Sequence, residues 1–227
     1  MPDFIEDCSL RNKVCAFKDR KDAGRLLAQR LSGYRDADGI TLGIPSGGVP
    51  VAAEIAKALE LPLDLIIVRK VQLPDNPEAG FGAIGPDGAV SLNTHLMNQL
   101  RLTEKEVKRQ IRITADTIKR RNELFRKGRP FPALNDKVVI IVDDGLASGY
   151  TMLSAIDFIK RQKPEKIVVA VPTAPEGTVG LILPAVDELV CLNVRSEFVF
   201  AVAEAYKNWY DLDDAEVLSI LSRFPIG

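Results

Sequence analysis

The stretch "VVIIVDDGLASGYT" (138–151) joins five apolar residues to two adjacent carboxylates, and those to a loop of small residues and hydroxyls. An unbroken β-branched run reads as a strand covered on both faces, as in a parallel sheet. Asp143 and Asp144 then stand at its carboxyl end, where open α/β sheets bind their ligands. Gly145, Ala147, Ser148 and Gly149 are small enough to let backbone N–H groups converge on an anion. A helix opening near Tyr150 or Thr151 adds its dipole, and Ser148 and Thr151 can add hydroxyl donors. A phosphate explains this loop, but the carboxylates need another neighbour: a polyol, a divalent cation, or both. A sugar phosphate with free hydroxyls and a metal-bound pyrophosphate satisfies every part.

Working outward, the chain alternates apolar runs with helical patterns. Strands are expected at 39–44, 63–70, 81–85, 88–92, 137–143 and 166–172, with a seventh at 188–194. Helices are expected at 21–32, 49–60, 103–127, 151–162 and 176–183. Such alternation predicts an α/β fold with a parallel sheet flanked by helices. We expect a single domain over 1–227, with a helical insert at 93–130 and a small C-terminal lobe at 187–227. The pattern breaks at 71–92, where prolines and glycines predict a mobile loop, followed by a hairpin turning at "GPDG" (85–88). The long helix opens on Thr103 and Glu106, spaced as a capping box. Val107, Ile111, Thr114, Ile118 and Phe125 make a packing stripe along it. Gly80, Gly82 and Gly85 spell G-x-G-x-x-G, but Pro86 and Gly88 then turn the chain where a dinucleotide fingerprint needs a helix. That reading is set aside.

Composition removes several classes of function. The formal net charge of −1 gives no global attraction to nucleic acid or an anionic membrane. No apolar run reaches the roughly 18 residues of a bilayer span. The start "MPDFIEDCSL" is acidic and lacks an apolar core, so a secretory signal is not expected and a cytoplasmic location is. Cys8, Cys15 and Cys191 are odd in number and show no C-x-x-C spacing, so they read as reduced thiols. His95 is the only histidine, which excludes histidine clusters; it reads as a surface or helix-start residue. A haloacid-dehalogenase type of phosphatase needs two acids spaced two apart, and these two are adjacent.

The stretch 138–151 resembles the phosphoribosyl-pyrophosphate (PRPP) motif of type I phosphoribosyltransferases: apolar strand, two acids, small loop, Thr. The resemblance implies that Asp143 and Asp144 bind the ribose 2′- and 3′-hydroxyls. It also implies that Ala147, Ser148, Gly149, Tyr150 and Thr151 cradle the 5′-phosphate. "GIPSGGVPVAAEIAKAL" (43–59) is similar to the family's pyrophosphate loop, with Ser46, Gly47 and Gly48 at the strand-to-helix junction. "LIIVRKVQLPDNPEAGFGAIG" (65–85) places Arg69 and Lys70 at a strand end, suited to a leaving pyrophosphate, beside what looks like the family's flexible active-site loop. Mg²⁺ is the implied cofactor, held by Asp143 and Asp144 largely through substrate and water.

More narrowly, "FKDRKDAGRLLAQRL" (17–31) and "AYKNWYDLDDAEV" (205–217) extend the resemblance to a subgroup of predicted phosphoribosyltransferases with no assigned acceptor. The subgroup usually has Arg where this chain has Ser46, and a small residue where it has Tyr150. The implied function is Mg²⁺-dependent phosphoribosyl transfer from PRPP to an unassigned acceptor, such as a nucleobase, in nucleotide metabolism. The alternative is a non-catalytic PRPP- or nucleotide-binding regulator. Residues 101–129 hold eleven Lys or Arg against four acids. This basic helix is favoured as structure or assembly, within a homo-oligomer, over an RNA surface. Of the C-terminal aromatics Phe198, Phe200, Tyr206, Trp209 and Tyr210, most are expected in the core, with one available to stack on an acceptor base.

Overall fold

The computed structural model describes residues 2–197 and 200–224, apart from the side chains of 77 and 78. Phe198 therefore lies outside the described residues. In chain order the elements are β1 (Asp3–Ile5), α1 (Arg20–Arg30), β2 (Gly39–Gly43), α2 (Gly48–Leu59), β3 (Leu63–Leu65), β4 (Arg69–Leu73), β5 (Asn76–Ile84) and β6 (Val90–Leu92). Then follow α3 (Thr94–Gln99), α4 (Glu104–Arg126), β7 (Val138–Val142), α5 (Tyr150–Arg161), β8 (Lys166–Pro175), α6 (Glu176–Ile182), β9 (Glu188–Arg195) and α7 (Asp214–Leu221). They divide into two compact units: Met1–Ile66 with Pro132–Gly149 and Ile159–Gly227, and Ile67–Phe131 with Tyr150–Phe158.

The first unit is built on a six-stranded sheet in the order β1-β9-β8-β7-β2-β3, with every pair parallel. β7 lies inside it, between β2 and β8, and every one of its residues is buried. That burial is why its sequence shows no polar alternation. Leu27 of α1, Ile55 of α2, Ile140 of β7, Val168 of β8 and Leu192 of β9 share one apolar core. At the amino ends of β8 and β9, Lys166 donates to Glu188 (2.8 Å) and to the Tyr34 hydroxyl (2.5 Å), and Tyr34 donates to Glu188. Burial pushes the Tyr34 hydroxyl up to about 12. The parallel sheet flanked by helices is the architecture expected from the sequence.

The second unit carries an antiparallel sheet in the order β4-β5-β6, with α4 packed against β4. Here the structure corrects two expectations. The run at 63–70 is not one strand: β3 stops at Leu65, and Arg69 and Lys70 open β4 instead of ending it. The β2–β3 register ends at Gly43 and Leu65, after which Ile66 donates to the Gly43 carbonyl (3.1 Å) and the β2 chain turns into α2. Within 71–92 the hairpin turning at 85–88 is present, with Ile84 paired to Val90, but the loop expected before it is strand too, β4 pairing with β5 in a register that shifts twice between Val71 and Leu73. Gly80 and Gly82 lie in strand β5 and Gly85 at its turn, so the G-x-G-x-x-G has no helix to serve.

The capping box on α4 is present in both directions, and of the predicted stripe Val107, Thr114, Ile118 and Phe125 are buried while Ile111 is half-buried. Arg121 and Arg126 are buried too, each against a ring, of Phe125 and Phe131 respectively. Part of the basic helix is thus packing rather than open charge.

Candidate active site

β7 delivers Asp143 and Asp144 to the carboxyl edge of the parallel sheet. The Asp144 amide donates to Asp143 Oδ1 (2.9 Å), closing the turn on itself. Burial, followed by the neighbouring Asp144 charge, holds the Asp143 carboxyl well above the usual carboxylate range. Burial also raises Asp144, against the opposing pull of Arg20. Two partly buried like charges side by side cost stability, and they persist where a function uses them.

Gly47 and Gly48, which follow Ser46, lie directly beside the acids. A Cβ on Gly47 would fall 1.9 Å from Asp144 Oδ2, and one on Gly48 would fall 2.6 Å from the Val142 carbonyl. Only glycines allow this approach, so the second strand-to-helix junction is pressed onto the first. The Pro45–Ser46 peptide is cis.

The loop after the acids is held from below. Leu146 donates to the Thr173 carbonyl (2.9 Å), and Thr178 donates through its hydroxyl to the Ala147 carbonyl (2.6 Å). Ala147 and Ser148 remain exposed. Gly149 caps α5 with φ at +79° and supplies no side-chain bond to the helix amides. A helix start of this kind leaves donors for an anion. Tyr150 and Thr151 begin that helix. The Tyr150 hydroxyl accepts from Asn93 Nδ2 (3.1 Å), which tethers the ring to the residue that caps α3.

The structure therefore brings together Asp143, Asp144, Ser46, Gly47, Gly48 and the loop 145–149 within the first unit. Arg69 and Lys70 belong to the second, where they pair in register with Ile84 and Ala83 of β5. His95 is exposed in the first turn of α3. Cys8 and Cys15 are exposed and Cys191 is buried, all three as free thiols.

One functional candidate escaped the sequence. Arg20, the first residue of α1, is buried and pairs with Asp144 through Nε to Oδ2 at 2.8 Å. Its Nη1 donates to the Tyr210 carbonyl (2.8 Å), and its guanidinium lies 3.9 Å from the centroid of the Trp209 ring. Tyr206 is buried and donates to the Asp144 carbonyl at 2.5 Å. Phe17 donates its amide to the Ala205 carbonyl and accepts from the Lys207 amide, bridging Tyr206, and Asn208 donates to the Lys18 carbonyl. This pairing brings 205–210 beside the start of α1. The signal was in the sequence, as Arg20 and Trp209 sit in the two terminal landmarks, but nothing local links residues so far apart.

Among the described residues, no group of three or more His, Cys, Asp or Glu could hold a metal. Two carboxylates, one of them bonded to Arg20, fit a hard cation that arrives on a ligand's own phosphates and water.

Fold and site define an α/β protein with two glycine-containing junctions meeting an acidic pair at the ends of parallel strands. The chain belongs to the phosphoribosyl transferase domain family, which it matches over residues 17–209. It is 41% identical over 207 residues to a provisionally named phosphoribosyl transferase of Mycobacterium tuberculosis (strain H37Rv), covering 91% of this chain and 46% of that relative. The chain thus spans about half the length of the curated relatives it matches. The crystal structure of TT1426 from Thermus thermophilus is 36% identical and superposes with a TM-score of 0.75, over 92% of this chain and 98% of that one.

Proposed function

We propose that this chain transfers the phosphoribosyl group of PRPP to an acceptor and releases pyrophosphate. The observation that carries the reading is the contact between the two junctions, with Gly47 pressed against Asp144. It would set a pyrophosphate loop beside a ribose-binding pair, as one substrate bearing both groups requires. In this reading Asp143 and Asp144 hold the ribose hydroxyls. Residues 147–151 take the 5′-phosphate on exposed loop amides and the open start of α5. Ser46, Gly47 and Gly48 take the pyrophosphate, and Arg69 and Lys70 are the cations assigned to it as it leaves. The C1–oxygen bond breaks with its electron pair going to pyrophosphate, while C1 gains a bond to the acceptor. The transition state is oxocarbenium-like, so the buried negative pair favours the charge developing on the ribose. Mg²⁺, when bound with PRPP, supplies charge neutralisation on the pyrophosphate.

The test is pyrophosphate release from PRPP and Mg²⁺ across purines, pyrimidines and small amines. Release with one acceptor class, abolished in Asp144→Asn, supports transfer. Ser46 favours a second reading, because the position that usually carries a cation has none. In that reading the protein binds PRPP and regulates a partner. Calorimetric binding of PRPP without release on any acceptor would support it. Absence of PRPP binding would overturn both.

A further inference from the structure

We infer that Arg20 is a positioning residue for Asp144, and that together with Trp209 it makes the docked C-terminal segment a condition of ribose recognition. The inference rests on the PRPP reading above and extends it to residues that nothing assigns. Asp144 cannot hold its place by repulsion from Asp143, and a buried carboxylate without a partner is costly. Gly47 closes one side of it. Arg20 takes Oδ2 from another side with a 2.8 Å charge-assisted bond, which fixes the rotamer.

Arg20 is itself fixed at three points. Its backbone opens α1 behind the Asp19 cap, its Nη1 is spent on the Tyr210 carbonyl, and its guanidinium carbon sits over the Trp209 ring, 3.9 Å from the centroid. Stacking on an aromatic face while donating in-plane suits a guanidinium and not an ammonium. Tyr206 holds the same residue from its backbone side. Both ends of Asp144 are therefore attached to 206–210, and that segment is attached to 17–18 by backbone bonds. A lysine at position 20 has one nitrogen, which cannot serve Asp144 and Tyr210 together from over the Trp209 ring.

Calorimetry with Mg²⁺ and two probes, PRPP and inorganic pyrophosphate, tests this. Arg20→Gln is expected to weaken PRPP at least tenfold and to leave pyrophosphate within twofold, because Asp144 faces the sugar. Arg20→Lys should fail to restore PRPP affinity. In an Asp144→Asn background Arg20→Gln should add no more than a twofold loss, since its target is already gone. Trp209 is partly exposed, so Trp209→Ala is the variant to read if Arg20→Gln does not fold. It should weaken PRPP several-fold, and Trp209→Phe, which keeps a ring face, should recover most of it. PRPP affinity in Arg20→Gln within twofold of wild type would overturn the inference and leave the PRPP reading standing. An equal loss for both probes, or full additivity with Asp144→Asn, would reduce Arg20 to a structural role and overturn it too. A wild-type protein that binds no PRPP would overturn the reading and the inference with it.

Discussion

Asp143 and Gly47 show what the site demands of single residues. At Asp143, burial and then the neighbouring Asp144 charge both disfavour the ionised carboxylate. Its folded-state pKa is raised, so the stability it contributes is present in acid and lost as pH rises through that value. Asp143→Asn is therefore expected to raise the melting temperature by about 2–4 °C, the shift that roughly 1 kcal/mol produces in a chain of this size. It should weaken PRPP at the same time. Thermal melts at pH 7 with and without PRPP check both, and a destabilised variant would contradict this account of the pair. Gly47→Ala should abolish PRPP binding without unfolding the chain, because its Cβ would collide with the Asp144 carboxylate. Near-normal binding in calorimetry would mean that the carboxylate has room to move. Gly47 and the acids were both legible in the sequence as loop and motif. Their contact was not, because it joins strands β2 and β7 across a long stretch of chain.

At the level of elements, local chemistry was read well where one pattern acts alone. The capping box of α4 and its apolar stripe follow from spacing, and both are present. Ile118 is buried in that stripe, and Ile118→Ala is expected to cost about 2–4 kcal/mol in chemical denaturation. Thr103→Ala should cost only about 1 kcal/mol, the usual loss of an N-cap. If both changes cost the same, the stripe would not be the face that α4 packs. The strand at 63–70 was misread because apolar character continues through 66–68. A strand needs a ladder as well as apolar residues, and β2 supplies none past Gly43. The hairpin β4–β5 was obscured for the opposite reason. Its glycines and prolines mark it as loop, while pairing with a neighbour makes it sheet.

Across the whole molecule, the buried Cys191 thiol and the half-buried Tyr34 phenol set an alkaline limit. Burial pushes the Cys191 thiol up to about 12, and partial burial beside Glu188 and Lys166 pushes the Tyr34 hydroxyl also to about 12. Both folded-state values are raised, so their stability is fully present below the ordinary thiol and phenol values and is lost on the way to about 12. Melting temperature should hold between pH 7 and about 8.5 and then fall, by up to about 1.4 kcal/mol of stability per pH unit for the buried Cys191 proton and by less for the solvent-screened Tyr34. Cys191→Val should flatten the first part of that fall, and an unchanged slope would remove Cys191 as its source. Thiol titration of the native chain should find Cys8 and Cys15 reactive and Cys191 silent until denaturation. Three fast thiols would show that β9 is not the closed core strand described here.

The sequence by itself determined the parallel α/β sheet, the acid pair at its edge, both strand-to-helix junctions and the family. Each of these is written in contiguous residues, as β-branched runs, small loops and helix starts. Only the tertiary structure decided what stands against the acids. Gly47 reaches Asp144 because β2 and β7 are neighbours in the sheet, and Arg20 reaches it because 17–18 pairs with 205–208 from the other end of the chain. Periodicity and motif spacing report on neighbours in sequence. The partner of a buried charge is chosen by topology, which brings residues 20, 47, 144 and 209 to one place.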